Sequence, residues 1–288
     1  MRAVFKHELN SYFTNLMGYV FGTFLLLFAG LYTMVINIDQ KLVSFEEVFY
    51  NMDFIFMIII PVLTMRVLAE ERRQKTDQLL YSLPLTMTKV VLGKYLAMLV
   101  MLVLPILIVC LYPLVLTAYG SVHLPTVFTA AVGFFLLGAA LLAIGMYISS
   151  ITENQAVAAG VCFVVVLINY FLGTLAGYLP STAIASVAAL SAMIIILAII
   201  IRQMTKSNYA ALISGMILET ILMLIYIVNP EIFEGLVSGI IGELSVFERF
   251  YVFMNGIFDI TGVVYLLSVV VFFLFLSIQS MEKRRWSE

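Results

Sequence analysis

Charge is what this chain has least of. Only 11% of its 288 residues are Asp, Glu, Lys or Arg, under half of the roughly 25% found in an ordinary soluble domain. With 63% hydrophobic residues and a mean hydropathy of +1.11, that deficit excludes a water-soluble core and points to a polytopic membrane protein. A net charge of −2 offers no basic footprint, which excludes nucleic acid as a partner. Cysteine is scarce too: Cys110 and Cys162 both lie in apolar runs, so no disulfide framework is implied and both read as packing residues. The two histidines, His7 and His123, fall on opposite sides of the membrane in the topology derived below and cannot share a metal. Neither H-E-x-x-H nor G-x-S-x-G occurs, and no phosphate loop is present, since Gly93-Lys94 is followed by Tyr95 and lacks the upstream glycine. The expectation is a non-enzyme with no cofactor or metal of its own.

What the chain does have is long apolar runs. A span needs ~20 apolar residues to cross about 30 Å of hydrocarbon. Eight segments meet that length, near 18–38, 49–68, 94–118, 126–149, 155–177, 183–201, 208–228 and 259–280. The second is the weakest because Asp53 lies near its outer end, and Tyr178 to Thr182 form a tight connection in which Pro180 favours a turn. With both termini in the cytoplasm, thirteen of the fifteen Lys and Arg lie inside and only Lys41 and Arg249 outside. The N-terminal charges and the missing small-residue cleavage site make the first run a retained span, not a signal peptide. The expected fold is therefore all-α: about eight transmembrane helices in a single transmembrane domain over 1–288, multi-pass in a cell membrane.

Three pieces outside the spans carry pattern. Residues 1–17 form an interfacial helix, with Val4, Phe5, Leu9, Phe13 and Leu16 near one face and Arg2, Lys6, Glu8 and Asn10 largely elsewhere. Residues 69–92 form a cytoplasmic elbow. The stretch from Arg66 to Tyr95 holds six of the fifteen basic residues, more than any other. Glu70 and Glu71 suit the positive end of a helix, Arg72 and Arg73 follow, Leu79, Leu80 and Leu83 make an apolar ridge, and Pro84 interrupts it. Such an element suits docking of a soluble partner; the plain alternative is a loop whose solvated charges only set topology. Residues 229–258 are external and half-apolar, with Pro230 suited to a helix start and Gly242 to a break. Their apolar side chains, Phe247, Phe250 and Tyr251 among them, fit short helices with one buried face, acting as a lid, a partner surface or a structural plug.

Inside the spans, Glu219 is the one ionisable residue near a helix centre, a placement that costs about 2.5–3.5 kcal/mol without a partner. Asn169, Ser214 and Thr220 are candidate partners. A path-lining or proton-linked carboxylate is one reading, an interhelical hydrogen bond the other, and the lack of a second intramembrane charge favours the latter.

The stretch PVLTMRVLAEERRQKTDQLLYSLPLTMTKVVLGKYLA, Pro61 to Ala97, resembles the signature of ABC-2 type transporter permeases, in the branch of gliding-motility and nitrous-oxide-reductase accessory permeases. Three further stretches are similar to that family in the same order: Phe5 to Phe21, Ser149 to Ala159 and Leu244 to Trp286. The resemblance implies a coupling helix in the elbow that docks on a separate ABC ATPase subunit, which would bind ATP and Mg²⁺. It also implies a second permease subunit across a transport path, export as the direction, and room for an auxiliary extracytoplasmic subunit. Such permeases commonly have six spans, so residues near 155–208 form an extra hairpin. A secondary transporter or channel built on Glu219 and a membrane scaffold for a soluble complex are the competing functions.

Overall fold

The computed structural model describes residues 1–75 and 86–287, and every regular element among them is helical. A first helix, α1 (Arg2–Thr14), precedes the spans. Next come α2 (Leu16–Tyr32), prolonged by a wider π-type turn over Thr33–Asp39, and α3 (Glu46–Thr64), with α4 (Ala69–Arg73) close behind. After the elbow follow α5 (Met87–Val109), α6 (Leu111–Leu116), α7 (Leu124–Ile151) and α8 (Gln155–Tyr178). The chain closes with α9 (Ala183–Thr205), α10 (Asn208–Val228), a 3₁₀ turn (Pro230–Phe233), α11 (Leu236–Glu243), α12 (Val246–Met254) and α13 (Ile260–Ser287).

Among the described residues, seven helical stretches are long and apolar enough to cross a membrane. An eighth is a bent pair, Leu212–Val228 with Pro230–Glu243, turning by 116°. Of the eight runs expected from the sequence, seven thus qualify as spans, and the run near 208–228 qualifies only together with the short helices after it, as a broken span or a re-entrant loop. Two boundaries differ from expectation. The second stretch runs from Glu46 to Arg73 and the third begins at Met87, so Lys89 belongs to a membrane helix and not to the elbow, and Lys94, expected at the start of the third span, lies well inside it. The elbow's described helix is the five-residue α4, which ends where Lys75 takes a left-handed φ of 56°.

The chain divides into two compact units, Met1–Tyr170 with Val246–Glu288, and Phe171–Ser245. In the first, α7 is the central helix, in contact with α3, α5, α12 and α13. It is built for close approach. A Cβ at Gly138 would stand 2.8 Å from Leu102 Cδ2, and one at Gly145 would stand 2.5 Å from Thr64 Oγ1, so only glycine lets α5 and α3 pack this near. An aromatic layer fills one end of the unit: Phe56 stacks on Phe134 at 4.3 Å, with Phe49 and Phe250 at 5.3 and 6.0 Å from the same ring. Pro61 in α3 and Pro105 in α5 sit inside helices, a placement membrane helices tolerate.

The second unit holds the α9–α10 hairpin with the 3₁₀ turn and α11. It is wider than the extra hairpin expected near 155–208, because the short helices that follow α10 fold back onto it. Phe233, Val187 and Leu222 form its small core, and Gly235 N–H bonds Ser181 O at 2.8 Å. Lys206 caps α9 in the left-handed conformation, with Arg202 in the last turn complementing the helix's negative end.

Candidate functional site

The elbow leaves α3 through a turn at residues 65–68, where the chain must satisfy the backbone donors that open α4. No side chain of its own caps α4. A distant one does: Ser149 Oγ, near the end of α7, accepts from Leu68 N–H at 3.2 Å and Ala69 N–H at 3.1 Å. Ser149 and the next residue are fully buried, and Ser150 O accepts from Ser280 Oγ of α13 at 3.1 Å. The turn after α7 is tied to the same helix again, since Arg284 lies 3.0 Å from Glu153.

A second anchor is ionic. Lys94 of α5, only 2% exposed, places its Nζ 2.7 Å from Glu71 Oε1 and 2.7 Å from Glu8 Oε1. One ammonium therefore joins three elements: the interfacial helix α1, the elbow helix α4 and the span α5. An isolated buried ammonium would be prohibitive, and two charge-assisted hydrogen bonds at this distance supply the compensation. The pairing also draws α1 down onto α5, where a Cβ at Gly93 would come within 3.1 Å of Val4.

The residues expected to couple the elbow to a partner sort accordingly. Glu70 bridges back to Arg66, whose Nε lies 2.9 Å away, and accepts from Gln74 at 3.1 Å. Glu71 faces Lys94, Arg72 is buried, and Arg73, Gln74 and Lys75 are exposed. Leu79, Leu80 and Leu83 lie outside the described residues.

The external candidates face inward. Phe247, Phe250 and Phe253 are fully buried, with Tyr170 5.1 Å from Phe247. Tyr251 O–H donates to Asp53 Oδ2 at 2.6 Å. Burial and the adjoining Asp53 carboxylate push the Tyr251 phenol above its usual value, so it remains the donor. Asn169 accepts from Val246 N–H at 3.0 Å and so caps α12 from another helix. In the second unit, Glu219 accepts from Ser191 Oγ at 2.7 Å, a partner outside the set expected from the sequence, while Thr220 donates to its own helix at Met216 O. Among the described residues no group of three or more His, Cys, Asp and Glu could hold a metal.

Sequence reasoning missed Ser149 as a cap and the Glu8–Lys94–Glu71 cluster. Lys94 was visible only as one more inside charge, because its partners lie 86 and 23 residues away.

A search of curated proteins returns no match. The family model described as ABC-2 family transporter protein matches residues 35–229. That stretch spans more than half of the chain and includes the start of the elbow with both Lys94 and Ser149, so the chain belongs to the ABC-2 family of transporter proteins, as a membrane permease component.

Proposed function

We propose that this chain is the permease subunit of an ATP-driven exporter, pairs with a second permease subunit, and is coupled through residues 69–92 to a separate ATPase that carries ATP and Mg²⁺. The observation that supports this reading best is the double anchoring of α4 by Ser149 and Lys94. A loop that only set topology would need no such fixation. An element that transmits displacement does, and it presents Arg73, Gln74 and Lys75 outward directly after the fixed turn. Glu71 and Arg72 act here by holding the elbow, and Arg73 by touching the ATPase. Membership of the gliding-motility and nitrous-oxide-reductase accessory branch rests on Pro61 to Ala97 and on Leu244 to Trp286, the latter beyond the matched residues. We read α12 as a plug, because its aromatic residues are spent on the core; Glu219, bonded to Ser191, as a link between α9 and α10.

Reversing Arg73 and Lys75 together to Glu should weaken ATPase docking by about tenfold or more, since like charges facing each other at an interface cost a few kcal/mol. Binding and transport-linked hydrolysis, measured with the partner ATPase in vesicles, would both fall while membrane insertion stays normal. Undiminished coupled hydrolysis would remove the docking role. For topology, single cysteines at Ser121 and Ser238, in a background lacking Cys110 and Cys162, should react with an impermeant maleimide from outside intact cells. One at Ser207 should not, and external reaction there would refute the extra hairpin.

A further inference from the structure

Where α1 lies on α5, its first turn overhangs a groove of about 450 Å³ lined by Arg2 and Phe5 above and by Leu96, Leu99, Val100 and Leu104 below. The floor follows one face of α5 at helical spacing, from two residues past Lys94 into the span. Apart from Arg2 and Met1, the residues that line it offer only hydrocarbon. At the rim the charges do not balance. Arg2 and Lys6 stand one turn apart on α1, a like-charged arrangement that disfavours the helix by itself. The one carboxylate of α1, Glu8, is committed to Lys94 at 2.7 Å. Neither Arg2 nor Lys6 has an acidic partner among the described residues, and both are exposed. Arg2 in the lining of an apolar slot that runs along the span, with Lys6 one turn further along the same helix, is complementary to a molecule with an anionic head and a hydrocarbon tail.

We propose that this groove holds one anionic glycerophospholipid, its phosphate taken by Arg2 and Lys6 and one acyl chain laid along Leu96, Leu99, Val100 and Leu104 beneath Phe5. The bound lipid would hold α1 on α5 from the side opposite to the Glu8–Lys94 contact. This site depends on the chain's lying in a membrane and not on the elbow's role in coupling, so it stands or falls separately from the ATPase reading.

The test is native mass spectrometry of the delipidated full chain, offered equal amounts of phosphatidylglycerol and phosphatidylcholine. One phosphatidylglycerol should be retained in preference. Arg2→Gln should lower that preference about fivefold, and Arg2→Gln with Lys6→Gln about 25-fold, from the usual contribution of one basic residue at an anionic surface. Leu104→Trp keeps the charges but fills the floor, and should abolish retention of the first lipid. Equal retention of the two lipids would overturn the proposal, as would a preference that survives the double charge variant. Unchanged retention in Leu104→Trp would mean surface attraction without a groove, and full competition by inorganic phosphate would mean a phosphate site without a lipid. If Leu104→Trp is not monodisperse, lysophosphatidylglycerols of decreasing chain length make the same distinction on the parent chain. Retention that falls with chain length supports the groove; retention independent of length overturns it.

Discussion

Replacing Lys94 with Met should destabilise the first unit by about 3–5 kcal/mol, the usual cost of removing one partner from a buried ionic cluster. Glu8 and Glu71 keep 16% and 24% of their side-chain exposure, so some hydration returns to them and the lower end of that range is expected. Met fits the slot that the lysine stem occupies, which separates the loss of charge from the loss of packing. Adding Glu8→Gln and Glu71→Gln to Lys94→Met should recover most of the stability, because the triple variant leaves no buried charge to neutralise. Lys94→Arg should fare little better than Met, since a planar guanidinium cannot occupy the point-charge position between two carboxylates at 2.7 Å. Thermal loss of monodisperse protein reads the stability, and hydrogen exchange over residues 68–75 reads the elbow. If Lys94→Met melts with the parent and the elbow stays equally protected, the cluster is not what fixes α4.

The second large effect concerns α12. Phe250→Ala should cost about 3–5 kcal/mol, the range for truncating a fully buried phenylalanine, because the ring has no exposed area and packs on Phe134. Serine at both Phe247 and Phe250 adds two polar groups to that cavity and should prevent stable folding. Glu248 lies between them on the exposed side of the same helix, and the isosteric Glu248→Gln should cost far less than Phe250→Ala. This contrast separates a plug from a surface. Were α12 a partner surface, Glu248→Gln would affect retention and Phe250→Ala would be mild. A change below about 1 kcal/mol for Phe250→Ala, the ordinary scale of an unremarkable substitution, would place the ring outside the core.

Much of this architecture was legible in the residues because hydrocarbon imposes one requirement on every span. The runs near 126–149 and 155–177 became α7 and α8 almost as read. The third span was read as starting at 94, because Lys89 and Lys94 lower the apolar average there. The helix runs through them all the same, since carboxylates from two other elements neutralise Lys94. Asp53 weakened the second span in the same way, and Tyr251, 198 residues further on, supplies its hydrogen bond. Phe247 and Phe250 were legible as members of a buried face, but not which face would be buried, because nine residues of helix cannot reveal what lies opposite. Ser149 gave no signal at all. A serine at the end of an apolar helix ordinarily bonds its own backbone, as Ser150 does to Tyr147 O at 2.7 Å, and only the approach of residues 68 and 69 makes its neighbour a cap.

Pro61 acquires a mechanical meaning from its position. It stands in α3 between two clamps, the Asp53–Tyr251 bond on one side and the Ser149 hook at Leu68 and Ala69 on the other. Some 11 residues of stiff rod, roughly 16 Å, run from Asp53 to the end of α3 at Thr64, and the turn at residues 65–68 leads from there to the hook. Because proline removes the hydrogen bond to the fourth residue before it, the rod's most compliant section lies between Met57 and Pro61. Under the coupling proposed above, a push at the elbow would be taken up in part as curvature at this joint, and the aromatic layer beyond it would be displaced less.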